Sequence, residues 1–316
     1  MYNPDMKQVG IVVMLAMALF IPAASKKGDN PFVGRWDITV TTLTGDQPGW
    51  MEVVEKDGNF QARIQLRGGS LRPINEVKPE KARLILTLTP AAEGRLALLW
   101  ELSLKGNQLV GSQKRGDTVQ GQLIGVRAPE LKPKPPKAWS NPQPLFNGKD
   151  LTGWEAGDPR NNHWVARNGE LVGEERGSNL RTTRKFDDFK LHFEVNCPQG
   201  GNTGVYLRGR YEVQIEYDPA AAVDKTHSMG SIFGLLAPST DLPPKPGEWE
   251  NFDVTLLGRY VTIVRNGVTI IDNQEIPGIT GGALDSREAD PGPFNIQGGR
   301  SAGIKYRNIT VSVPKR

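Results

Sequence analysis

Tyr211-Glu212-Val213-Gln214-Ile215-Glu216-Tyr217-Asp218 alternates apolar or aromatic residues at odd positions with polar residues at even positions. Successive side chains of a strand point to opposite faces, so a period of two marks a half-buried strand. Tyr211, Val213, Ile215 and Tyr217 are expected to enter a core, leaving Glu212, Gln214, Glu216 and Asp218 on the other face. A wet sheet face produces such a row without any function. Glu and Gln are nonetheless depleted in strands, and Lys, the usual solvent-face residue, is missing from the row. The preceding stretch divides the same way, with Tyr206 and Arg208 on one face and Val205 and Leu207 on the other. A tight hairpin at Gly209-Arg210 would set Arg208 beside Glu212 or Gln214. Such a row of Arg, Glu, Gln and Tyr suits a groove that grips sugar hydroxyls.

The same period extends in both directions. Asn168-Gly169 and Asn266-Gly267 each separate two short apolar runs, the strongest short-range hairpin signal. Further strands are expected at 189–195, 204–208, 231–236, 252–257 and 304–313. No segment sustains an i, i+3, i+4 apolar rhythm, so the chain is read as all-β. Two stacked antiparallel sheets are expected over 144–316. Upstream, 30–128 reads as a meander, with a hairpin across Lys56-Asp57-Gly58 and strands at 82–89, 95–105, 108–115 and 118–126. Its Gly-x-Trp opening at Gly34-Arg35-Trp36 and its Gly-rich close are similar to those of small lipocalin-like barrels. A barrel or curled sheet that holds a ligand or has a structural role is expected there, since the segment has no His and no clustered acids. Between the halves, 129–143 reads as an extended linker, with six prolines from Pro129 to Pro144.

The N-terminus carries Lys7, an unbroken apolar run over 9–21 and then Pro22-Ala23-Ala24-Ser25. That is the pattern of a signal peptide over 1–25, with a run short of the roughly 20 residues of a membrane span. Export to the periplasm or the cell exterior is expected, with a retained N-terminal anchor as the alternative and no lipoprotein anchor. The net charge of +4 is scattered, with no basic block, which argues against nucleic acid as a partner. Cys197 is the only cysteine, so no internal disulfide can form, and it reads as a packing residue.

From Leu145 onward an ordered set of motifs appears. Pro144-Leu145-Phe146-Asn147-Gly148-Lys149-Asp150-Leu151-Thr152-Gly153-Trp154 opens it. Asp188-Phe189-x-Leu191, Gly201-Asn202-Thr203-Gly204-Val205-Tyr206-Leu207-Arg208 and Tyr211-Glu212-Val213-Gln214-Ile215 follow. Gly230-Ser231-Ile232-Phe233, Pro246-Gly247-Glu248-Trp249, Asn266-Gly267 and Tyr306-Arg307-Asn308-Ile309 complete it. Over about 145–313 this set resembles the 3-keto-disaccharide hydrolase family, also called the 3-keto-glucoside-1,2-lyase/3-keto-2-hydroxy-glucal hydratase family. The resemblance implies a concanavalin-like jelly roll and a substrate whose C3 hydroxyl has been oxidised to a ketone by a separate enzyme. A C3 ketone acidifies the C2 hydrogen. A base removes it, the enolate expels the C1 group, and water added back completes a net hydrolysis.

Three jobs follow from that chemistry: a base at C2, a stabiliser of the enolate oxygen and an acid for the leaving group. Glu212 or His227 suits the base, which works best with a pKa near the operating pH. Arg208 suits the developing oxyanion. Gln214 and Asn202 would orient the sugar, Tyr206 or Glu216 would supply a proton, and Trp249 would stack on a pyranose. Relatives often carry an Asp-His-Gly-like stretch where this chain reads Ile296-Gln297-Gly298-Gly299-Arg300-Ser301; if that His serves the chemistry elsewhere, this chain has altered specificity, uses Arg300 instead or has lost activity. Position 250 is Glu where Asn or Gln is usual. No cofactor is expected. A divalent ion shared by Glu212, Asp218 and His227 has no ligand-spacing motif behind it. Two other readings stay open: a non-catalytic carbohydrate-binding protein, and a conventional retaining glycosidase. Gln214 stands between Glu212 and Glu216 where such glycosidases carry an acid, which counts against the last.

Overall fold

Three Asx-Gly pairs set the hairpins from which both halves are built. Asp57 and Gly58, Asn168 and Gly169, and Asn266 and Gly267 all have positive φ, between 50° and 79°. Two successive positive-φ residues give the turn whose twist matches that of the flanking strands, and Asx and Gly adopt it at least cost. The computed structural model describes residues 30–90, 94–217, 224–299 and 302–315. The expected signal peptide therefore lies outside the described residues. So do Asp218 and Arg300.

The first half contains β1 (Gly34–Thr42), β2 (Gly45–Lys56), β3 (Asn59–Gln65), β4 (Arg72–Pro73), β5 (Glu76–Glu80), β6 (Arg83–Leu88), β7 (Leu98–Lys105), β8 (Gln108–Arg115) and β9 (Thr118–Arg127). They form one antiparallel sheet in the order β4-β3-β2-β1-β9-β8-β7-β6-β5, an open, curled path. Its inner face closes over Trp36, Ile38, Met51, Ile64, Leu86, Trp100, Leu109 and Leu123. Each such side chain contributes about 1.5–3 kcal/mol on leaving water.

The second half contains β10 (Gln143–Pro144), β11 (Trp154–Ala156), β12 (Trp164–Arg167), β13 (Glu170–Gly173), β14 (Leu180–Thr182), β15 (Phe189–Asn196), β16 (Asn202–Leu207) and β17 (Tyr211–Glu216). It continues with β18 (Trp249–Leu257), β19 (Tyr260–Arg265), β20 (Val268–Glu275), β21 (Asn295–Ile296) and β22 (Ile304–Ser312). One sheet runs β12-β13-β22-β15-β18-β19-β20, with β10 beside β22, and the other runs β11-β14-β21-β16-β17. Phe189, Leu191, Phe193 and Val195 from the first sheet meet Val205, Leu207, Val213 and Ile215 from the second in one sandwich core. Among the described residues, helical structure is confined to short 3₁₀ turns such as Pro159–Asn161 and Lys225–His227.

Residues Phe32–Arg316 make one compact unit. Trp50 of β2 belongs to the sandwich core rather than to its own sheet's core. Its Nε1 donates to Ile279 O at 3.0 Å, and a Cβ on Gly278 would stand only 2.4–2.6 Å from its ring. Thr39 and Ser286 hydroxyls meet at 2.7 Å, and the Gly68 N–H donates to Gly281 O at 2.6 Å. The proline-rich stretch runs along the sandwich: Leu131 O accepts from Arg259 N, and Ser140 N donates to Val313 O.

Two local expectations need correction. Segment 231–236 is not a strand, because Ile232 N and Leu235 N turn back to Leu236 O and Ile232 O, leaving isolated bridges at Val213–Ile232 and Ile232–Leu236. The β16–β17 loop is also one residue longer than expected, Arg208-Gly209-Arg210 in place of Gly209-Arg210. Arg208 (φ 51°) and Gly209 (φ 67°) take the left-handed conformations, and Leu207 pairs with Tyr211.

Candidate functional site

The register of the five-stranded sheet decides which side chains share a face. Across β16 and β17, Asn202 pairs with Glu216, Gly204 with Gln214, and Tyr206 with Glu212. Tyr206 also pairs with Asn295 on β21, Asn295 with Arg181 on β14, and Arg181 with Glu155 on β11. Directly opposed residues project to the same side. The face away from the core therefore carries Glu155, Arg181, Asn295, Tyr206, Glu212, Gln214, Asn202 and Glu216. Gln297, whose N–H donates to Gly204 O, continues it, and so does Ser231, whose carbonyl accepts from Gln214 N.

Gly204 makes room for the carboxylate at the centre of this face. A Cβ there would stand 2.3 Å from Glu212 Oε1, 2.7 Å from its Cγ and 2.9 Å from its Cδ. Glu212 therefore lies across the neighbouring strand at the one position of β16 that has no side chain.

The row was expected to line an open groove. The structure instead roofs one end of it: Tyr206, Glu212 and Gln214 are 1 %, 4 % and 1 % exposed. The roof is the segment 278–284. Thr280 Oγ1 accepts the Glu212 N–H at 3.1 Å and donates to Arg210 O at 3.0 Å. A Cβ on Gly282 would fall 1.9 Å from Tyr206 Oη. Trp50 and the 65–69 stretch of the first half hold the roof from outside, with Gln65 Nε2 standing 3.1 Å from a Cβ built on Gly281. Asn202 and Glu216, at the other end, are half-buried, and Glu216 accepts a hydrogen bond from Gln214 Nε2.

Several polar atoms on this face have no hydrogen-bond partner within the protein although they are buried. They are Gln214 Oε1, Asn295 Oδ1 and Nδ2, Gln297 Oε1 and Ser231 Oγ. A buried polar group left unpaired costs about 1–3 kcal/mol, so such groups are rare unless something outside the chain meets them. Asn295 and Gln297 were absent from the candidate residues read from the sequence. Their signal was the alternation Asn295-Ile296-Gln297, too short to stand out as a strand.

Arg208 does not reach this face. Its left-handed backbone turns the side chain to the Tyr211 side, where the guanidinium is fully buried beneath the sheet. There it meets Asp187 at 3.2 Å and the Gly258 carbonyl, beside the Tyr211 ring. Tyr211 in turn donates to Glu288 Oε1 at 2.7 Å, and Arg259 donates to Glu288 Oε2 at 2.8 Å. Asp37 of β1 faces the same cluster, and burial first, then the Glu288 charge, push its carboxyl up to about 8. This charged network ties the two halves together and is separate from the polar row.

Trp249 is also elsewhere. It opens β18 on the outer face of the other sheet, with the Arg307 guanidinium 4.0 Å from its ring centre. Glu250, its neighbour, is 2 % exposed and holds Arg265 through both oxygens while accepting from Asn266 Nδ2 at 3.0 Å. Cys197 is buried, and burial pushes its thiol up to about 12, as befits a packing residue.

His227 stands at the β17 edge of the row. Phe233 N donates to Glu212 O at 3.0 Å, which places Phe233 opposite Glu212 on the same face. The His227 ring meets Phe233 edge-on, with centroids 4.6 Å apart. Its Nδ1 lies 2.9 Å from Asp224 Oδ2 and its Nε2 lies 2.7 Å from Ser70 Oγ. No group of three or more His, Cys, Asp or Glu arranged to hold a metal occurs among the described residues.

The profile of the 3-keto-alpha-glucoside-1,2-lyase-like domain matches residues 141–312. The chain belongs to that family. No curated protein matches it. Among solved structures, one assigned provisionally as a glycosyl hydrolase, from Parabacteroides distasonis ATCC 8503, is 26% identical, covering 54% of this chain and 83% of that one with a TM-score of 0.47. The CBM66 carbohydrate-binding module of Bacillus subtilis is 12% identical over 51% of this chain and 96% of that one, TM-score 0.32. A non-specific endo-beta-1,3(4)-glucanase is 12% identical over 58% and 95%, TM-score 0.36. The all-β fold rests on the chain's own sheets, and the family on the matched profile.

Proposed function

We propose that this protein, after export, cleaves 3-keto-glycosides by elimination across C1 and C2 followed by hydration. The observation that carries the reading is the set of buried, unpartnered amide atoms of Gln214, Asn295 and Gln297 on the same sheet face as Glu212. A sugar presents hydroxyl and carbonyl groups at close intervals, which is the partner such amides lack, and it reaches them when the side chains that now cover them move aside. Glu212, held over Gly204, takes the C2 proton. Asn295 Nδ2 donates to the enolate oxygen, the job assigned from sequence to Arg208. Preorganised donors aimed at a developing oxyanion are usually the largest electrostatic contribution to such a step. Asn202 and Glu216, at the unroofed end, orient the remainder of the sugar.

The test is to offer the purified protein a 3-keto-disaccharide and its unoxidised parent in deuterium oxide. Turnover of the keto sugar alone, with deuterium at C2 of the product, is expected, together with a 10²-fold or greater loss in Glu212→Gln, about the usual contribution of a general base. Cleavage of the unoxidised sugar alone would overturn the reading. Tight binding with no turnover would favour a carbohydrate-binding protein instead.

A further inference from the structure

Ser70 lies in the loop between β3 and β4, outside the region that the family profile covers. It nevertheless ends a hydrogen-bonded chain that begins in the family domain. Asp224 Oδ2 stands 2.9 Å from His227 Nδ1, and His227 Nε2 stands 2.7 Å from Ser70 Oγ. The carboxylate can only accept, so it holds the proton on Nδ1. Nε2 then faces the hydroxyl, as acceptor when the ring is neutral and as donor when it is protonated. The contact is built on both sides. Asp224 is fixed by the Thr226 N–H and hydroxyl at 2.9 and 2.8 Å, and Phe233 closes on the imidazole edge. Gly234 admits Ser70, since a Cβ there would stand 3.3 Å from the serine Cβ. Gly68 N, two residues before, is pinned to Gly281 O in the roof of the polar row.

Both ring nitrogens of His227 are therefore engaged inside the protein, one by each half. A proton passes between the ring and a substrate only through the Ser70 hydroxyl. The acid for the leaving group has no residue assigned to it in the elimination reading above.

We propose that Asp224, His227 and Ser70 form a proton relay in which the first half supplies the group that protonates the departing C1 oxygen. This rests on the elimination reading above. Glu212 takes the C2 proton and the C1–O bond breaks, its electron pair leaving with the glycosidic oxygen. That oxygen takes the Ser70 hydroxyl proton, and Ser70 recovers one from Nε2 of protonated His227. On hydration, water adds at C1 and gives its proton through Ser70 back to His227, while Glu212 returns a proton to C2. The relay ends in its starting state.

The experiment compares two 3-keto-glucosides, one with an alkyl leaving group and one with 4-nitrophenol, which departs without an acid. Ser70→Ala is expected to lose about 10²-fold or more on the alkyl substrate, the usual scale of general acid catalysis, and little on the nitrophenyl one. Ser70→Thr keeps the hydroxyl and restores the alkyl substrate. His227→Gln repeats the Ser70→Ala pattern, which covers the case of a Ser70 variant that folds poorly. Equal losses on both substrates, or none, would overturn the relay while leaving the elimination reading in place. No turnover of either substrate by the unaltered protein would remove both.

Discussion

Gly204→Ala places a methyl group where the Glu212 carboxylate now lies. The three nearest atoms to that methyl, at 2.3, 2.7 and 2.9 Å, all belong to Glu212. Contacts under 3 Å do not persist at a Cβ, so the carboxylate has to shift by about 1 Å, at the ~1–3 kcal/mol typical of overpacking. The backbone raises no objection, since Gly204 is not among the positive-φ residues. Alanine at a compatible position stabilises by about 0.4–1 kcal/mol through the unfolded chain. The substitution should therefore destabilise the native protein by roughly 1–2 kcal/mol, the balance of those two effects. In a Glu212→Ala background all three obstructing atoms are gone. The same substitution should then stabilise by about 0.4–1 kcal/mol. The sign reverses between backgrounds. Urea unfolding of the four proteins of this double-mutant cycle reads it directly, with a coupling of about 1–3 kcal/mol expected for residues in contact. Equal effects in the two backgrounds would show that Glu212 does not lie over Gly204, and the site geometry would fall with it. Gly204→Ala alone should also lower turnover by displacing the proposed base.

Asp37→Asn tests the buried cluster that joins the halves. The Asp37 carboxyl is raised from 3.8 to about 8, so between those values the folded state keeps a proton that the unfolded state has lost. Stability then falls as pH rises through that window. The Asn variant, which cannot ionise, should match the native protein near pH 4 and exceed it in urea midpoint above pH 8. A flat difference across pH would refute the assignment. Glu250→Ala strands the buried Arg265 guanidinium with only the Tyr217 hydroxyl at 3.3 Å, and should cost about 3–5 kcal/mol in the same assay. Pairing Glu250→Gln with Arg265→Met should recover most of that loss, because the uncompensated charge is gone.

Most of the strands could be read locally. Asp57-Gly58, Asn168-Gly169 and Asn266-Gly267 turn where their chemistry requires, and alternation along β15 and β17 assigns the core face correctly. Segment 231–236 misled because its apolar residues resemble a strand, yet Gly230 and Gly234 take positive φ and the chain folds back. The fate of Arg208 turned on a one-residue difference in loop length. Arg208 falls in the loop with a left-handed backbone, where the alternation of strand faces no longer directs its side chain.

The row that begins at Tyr211 shows where the division falls. Its faces, the all-β class and the family motifs depend on residues close together in the chain, whose periodicity and turn preferences are local properties. These are legible from neighbouring residues alone. What covers the row, which unpaired amides join it from β21 and which hydroxyl meets His227 depend on contacts between residues as distant as Trp50 and Ile279 or Ser70 and His227. Those contacts arise only when two separately patterned halves bury surface against each other, and no local periodicity encodes the partner.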